Sequence, residues 1–181
     1  ASVHISGSTV SEKRPISIDM ELLAGKGAKG SLELGGLGIR IVAVERAFYL
    51  NGSAAFYRQV AGPAAAQLLQ GRWLKAPIGS GNFASLAQLT NLNSLLDSSL
   101  ASHGRLAKGS VTTVEGKKAI PVHDVNKGGT LYVAATGTPY PLEITRAGGE
   151  GGTVVFRDWN KPVTLTPPSG AINITQLQNG H

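Results

Sequence analysis

The residues able to do chemistry are few and scattered. His4, His103, His123 and His181 could serve as general bases, Asp19, Asp97, Asp124 and Asp158 could orient them, and the many serines could supply a hydroxyl nucleophile. No serine stands in a nucleophile-elbow pattern, and adjacent His123 and Asp124 point to opposite faces if the chain is extended there. The histidines lack the HxH and HExxH spacings that hold a metal, and the acidic residues occur singly, without a local pair for acid-base work. The absence of cysteine excludes disulfides, thiolate catalysis and thiolate metal sites. The pattern asks for no cofactor and no metal, and the chain reads as non-enzymatic.

Two local motifs carry a sharper reading and a plainer one. Gly25-Lys26-Gly27-Ala28-Lys29-Gly30 matches GxGxxG letter for letter. A dinucleotide loop must open a helix and be followed by an acidic residue about 20 positions on. The next residues, Ser31-Leu32-Glu33-Leu34-Gly35-Gly36, alternate like a strand, so a hairpin tip is expected instead. Trp159, beside Asp158 and Asn160-Lys161-Pro162, could present a binding platform but fits better as a core anchor with a satisfied indole N–H.

Charge and composition narrow the class. The 181 residues suffice for one domain with a sizeable core, and a single domain over 1–181 is expected. With 41% hydrophobic and 15% charged residues, 24 glycines and 9 prolines, a turn-rich β protein is favoured over a charged helical one. The net charge is +6, and no Asp or Glu falls between Glu45 and Asp97, a span that holds Arg46, Arg58, Arg72 and Lys75. Such a surface attracts polyanions or an anionic membrane face. Specific nucleic-acid binding would need interleaved bases and aromatics, and the nearest cluster is only Phe56-Tyr57-Arg58. No run is long and apolar enough for a transmembrane helix, and no secretory signal is evident, so the chain reads as soluble.

The elements that must position these residues follow from periodicity. Val3 and Ile5, then Ile16, Ile18, Met20 and Leu22, alternate with polar residues around Glu12-Lys13-Arg14-Pro15, predicting a strand pair with one wet face. Leu37 to Val44 and Arg46 to Leu50 read as two further strands ending at an Asn51-Gly52 turn. A helical insert is expected over about 56–103. Pro63 and Gly71 bracket a short helix, and Asn82 caps a longer one reaching about Ser102. Leu86, Leu89, Leu92, Leu96 and Leu100 form its apolar stripe, flanked by Phe83 and Leu95. The β rhythm resumes at Gly109 and ends in a meander over Thr130 to Pro168, with an extended closing segment after it. Short turns throughout imply an antiparallel sheet with the helices on its apolar face.

The closing strands carry a resemblance. Tyr132, Gly137, Pro139 with Leu142, and Asp158-Trp159-Asn160-Lys161-Pro162-Val163 resemble the end of the LolA-like lipoprotein carriers, in particular the actinobacterial LprG/LppX-type group, with Asn160 in place of the usual Gly. The order of meander, helical insert and further strands is similar too. The resemblance implies an α+β fold: a strongly curved antiparallel sheet, a half-open barrel, with helices over its concave face and a cavity between. It also implies an extracytoplasmic protein of the cell envelope that binds lipid or another amphiphile, as carrier or chaperone of lipidated cargo. Such proteins are usually anchored in the membrane through lipid on an N-terminal cysteine. This chain has no cysteine, so an anchored form requires residues outside it, and a secreted form stays open. The expected apolar wall is Ile18, Met20, Leu32, Leu34, Ile41, Phe56, Leu68, Phe83, Leu86, Leu89, Leu92 and Leu96. The alternative is an envelope interaction or assembly module with a filled interior.

Overall fold

The structure, a computed structural model, describes residues 1–11, 13–79, 84–101, 103–148 and 151–174. The chain opens on five strands: β1 Ser2–Ser11, β2 Arg14–Leu23, β3 Gly27–Leu34, β4 Leu37–Val44 and β5 Ala47–Gly52. Each pairs antiparallel with the next, and Gly25-Lys26 forms the tip of the β2–β3 hairpin, so the GxGxxG letters open no helix. The β4–β5 turn falls at Glu45-Arg46, both in the left-handed region with φ of 53° and 63°. Asn51-Gly52, expected as a turn closing the strand that ends at Leu50, instead belongs to β5 and is buried. The strand's pairing with β4 runs on to Gly52, and pairing outweighs the local turn preference of an Asn-Gly pair.

A helical segment follows, α1 Ala54–Leu69, capped by Ser53, whose Oγ accepts from the Phe56 N–H at 3.1 Å. Gly62 interrupts it at φ 87°, and Pro63 starts its second half, the first-turn position expected for this proline. Strand β6 Leu74–Pro77 then pairs with β5. The longer helix expected over 82–102 is two: α2 Ala84–Gln88 and α3 Leu92–Ala101. Thr90 Oγ1 donates back to the Ala87 carbonyl at 2.6 Å, and Asn91 Oδ1 accepts from Ser94 N–H at 3.2 Å, so one helix is closed and the next begun. Asn91 thus acts as the N-cap of α3, with Ser94 as its backbone partner. Asn82, Phe83 and Ser102 lie outside the described residues.

The remaining strands are β7 Leu106–Lys108, β8 Thr112–Val114, β9 Lys117–Asp124, β10 Thr130–Ala134, β11 Pro141–Arg146, β12 Gly152–Arg157 and β13 Ile172–Asn173. Strand β12 pairs with β1, which joins both ends of the chain into one unclosed curved sheet of order β13-β6-β5-β4-β3-β2-β1-β12-β11-β10-β9-β7, with β8 also on β9. All pairs are antiparallel except β13 on β6, which corrects the expectation of a wholly antiparallel sheet. Beyond Arg157 the expected meander holds no strand until Ile172. Pro162, Pro167 and Pro168 lack the N–H that a ladder needs. The extended segment crosses the outer face instead, where Leu165 and Ala171 pack with Val44, Ala47 and Tyr49.

The inner face is apolar in register. One row runs Phe156, Ile5, Met20, Gly30, Ile41, Leu50, Leu74 across seven strands, and the next runs Val3, Leu22, Ala28, Ala43, Phe48, Ala76. These residues bury themselves against Tyr57, Ala66, Ala87 and Leu92 of the three helices. The helices thus cover the concave side of the sheet, the α+β arrangement expected for a half-open barrel.

Candidate functional site

The expected apolar wall converges. Met20, Leu32, Ile41 and Leu92 are buried in the main cluster, and Ile18, Leu34, Phe56, Leu86, Leu89 and Leu96 pack half-buried against it. Phe83 lies outside the described residues. Leu68 does not join them: it is 70% exposed, and its neighbour Leu69 packs inward instead. Leu69 stands three residues from buried Ala66 and shares its face, which turns Leu68 outward.

Beneath α1 the interior is closed, with Met20, Leu22 and Ile41 fully covered. The apolar face nevertheless continues past the helices. A third inner row runs Ile39, Leu32, Ile18, Gly7, Val154, Ile144, Leu131, Val122. Its last three members line a groove of about 350 Å³ together with Leu106, and His103, Lys127 and Arg146 stand around it. The volume falls in the range of small-molecule sites. Sequence reasoning placed Leu131 and Ile144 in a β meander but not beside a groove. The signal was there in the alternation of Val122, Leu131 and Ile144 with polar neighbours, but pairing across three strands had to be known before they formed a surface.

One lip of this groove is held by Asp124. Its Oδ2 accepts from the Gly104 N–H at 2.8 Å, and its Oδ1 accepts from the Asn126 and Lys127 N–H groups at 3.0 and 2.9 Å. Those bonds, that of Gly104 first, hold its carboxyl below the usual carboxylate range. Away from this groove, Trp159 stacks on Tyr140 with ring centroids 4.5 Å apart and donates its indole N–H to the Pro141 carbonyl at 2.9 Å, the satisfied anchor expected for it. The neighbouring Asp158 carboxyl is likewise lowered, chiefly by its bond to the Lys161 ammonium, 2.6 Å away.

The titratable residues are dispersed. His4 Nε2 lies 3.0 Å from Asp19 Oδ1, His123 Nδ1 lies 3.0 Å from Thr130 Oγ1, and His103 Nδ1 lies 2.8 Å from the Gly104 carbonyl. His181 lies outside the described residues. Among the described residues no three His, Asp or Glu side chains gather into a metal-holding group, and no helix is long and apolar enough to cross a membrane.

Comparison with solved structures shows the same fold in two mycobacterial proteins. LprF from Mycobacterium bovis superimposes with a TM-score of 0.57 over 93% of this chain and 90% of its own, at 12% identity. The lipoprotein LppX of Mycobacterium tuberculosis gives 0.54 over 91% and 89%, at 17% identity. The chain therefore has the LolA-like fold of the LprG/LppX-type lipoproteins, as its closing strands suggested. No protein-family model matches the sequence, and no curated protein matches it.

Proposed function

We propose that the protein is a non-catalytic, extracytoplasmic component of the cell envelope that binds lipid or another amphiphile, as carrier or chaperone of lipidated cargo. The supporting observation is the third apolar row, which leaves the covered core and enters the groove at Val122, Leu131 and Ile144. An acyl chain laid there meets hydrocarbon below and cations at the rim, the order of an anionic amphiphile. About ten buried methylenes contribute about 8 kcal/mol before ordering costs. The fold likeness to the lipoproteins LprF and LppX agrees with this reading. The short helices α2 and α3 meet the core through leucines, and Ile144 and Val154 pack against the same core, so displacement of the helices extends the groove inward from Ile144. Gentle purification followed by native mass spectrometry and solvent extraction tests the proposal. A bound amphiphile is expected, and Leu131→Glu is expected to lose it while keeping the circular dichroism of the parent.

A second reading is favoured by the closed interior: an interaction or assembly module that uses the same fold without cargo. It would engage a partner through Val60 and Leu68, both exposed on α1. Photocrosslinking from position 60 in the envelope distinguishes the two, since a captured protein partner together with lipid-free purified material supports this second reading.

A further inference from the structure

A hollow larger than the amphiphile groove lies away from the apolar face. It is an open groove of about 750 Å³ along β1 to β5, where polar side chains of the opposite face share the lining with Gly7, Ile18, Leu32 and Ile39 of the sheet backbone. Register places Ser6, Asp19, Ser31, Arg40 and Asn51 in one row across the five strands. Ser17, Glu33 and the start of α1 at Ser53 border it. A second hollow of about 310 Å³ shares Asp19 and Arg40 with it and reaches Trp73, over whose ring the Arg40 guanidinium lies at 5.5 Å.

One group in this lining has no protein partner. Asn51 is only 6% exposed, and its Nδ2 is buried without a hydrogen bond. Leaving a buried amide donor unsatisfied costs roughly 1–3 kcal/mol, so a stranded amide on a cavity wall points to a ligand that satisfies it. Its χ2 torsion is broad, so a modest rotation turns the NH₂ toward the groove.

We infer that this outer groove binds a neutral saccharide. The row mixes hydroxyls, which donate and accept, with two carboxylates that accept from vicinal hydroxyls, and one guanidinium and one amide that donate. Asp19 and Glu33 repel phosphates and carboxylates, which argues against an anionic ligand. Trp73, beneath the Arg40 guanidinium, stands in the adjoining hollow. This site is independent of the amphiphile groove, which lies on the other face of the sheet.

The test is amide chemical-shift mapping of the full chain, titrated with the neutral tetrasaccharides cellotetraose, mannotetraose and xylotetraose and, separately, with inorganic phosphate. Saturable shifts at Ser31, Arg40 and Asn51 with at least one tetrasaccharide, insensitive to added salt, are the expected result. No shifts at millimolar sugar, or shifts produced by phosphate alone, overturn the inference. Glu33→Gln and Ser31→Ala, both at exposed positions, are expected to weaken binding about tenfold. Asn51→Leu is expected to abolish it without lowering the unfolding midpoint. Undiminished sugar binding by the folded Asn51→Leu and Glu33→Gln proteins would contradict the assignment. Amphiphile retention should be the same in all three variants, so failure of either site is read separately.

Discussion

Gly30 shows how much of the curvature rests on single residues. It sits between Met20 and Ile41 in the central inner row at φ 153°, and a Cβ there would fall 2.1 Å from the Asp19 carbonyl oxygen. The obstacle is backbone and cannot swing away, so Gly30→Ala is expected to cost about 3 kcal/mol, the upper end of overpacking, read as a lower urea midpoint. Met20→Ala beside it opens a void and is expected to cost about 2–5 kcal/mol in the same assay. Asp124 carries a pH dependence. Its carboxyl is depressed in the folded protein, so its contribution is complete above the unfolded value of about 4 and is lost as pH falls through the folded value. Asp124→Asn should destabilise at neutral pH and flatten the acid limb of the stability profile. At this scale the sequence was legible for Trp159, whose aromatic bulk and indole N–H demand an anchored place. It was silent on Asn51, because an Asn-Gly pair signals a turn and only strand pairing reveals a buried amide.

At the scale of elements, the helical insert behaves as a lid built in pieces. Asn91 caps α3 where one continuous helix was expected, so Asn91→Ala should cost about 1 kcal/mol and loosen α3 in hydrogen exchange before the sheet responds. Of the leucine stripe, Leu86, Leu89, Leu92 and Leu96 all reach the main cluster. The break was missed because spacings of three and four survive a short interruption, whereas the bond from Thr90 to the Ala87 carbonyl leaves no mark in periodicity. Strand β13 was unreadable for a related reason. Two residues joining an edge carry no pattern, and their parallel pairing to Leu74 depends on where the extended segment delivers them.

At the scale of the molecule, the inner rows explain why the alternation of β1 to β5 revealed an apolar face. They also explain why it could not reveal an opening. Which part of that face is covered depends on helix placement, and the strands that escape cover, β9 to β11, are brought beside β1 only through the β1–β12 pairing. The account predicts that this uncovered end is where an acyl chain enters. Photolabelling with a diazirine-bearing fatty acid, followed by peptide mapping, measures this directly. Labels on Val122, Leu131, Ile144 and Leu106, extending to Leu92 and Leu96 of α3, are the predicted result. Labels confined to Val60 and Leu68 on the outside of α1, or no specific labelling at all, would contradict it.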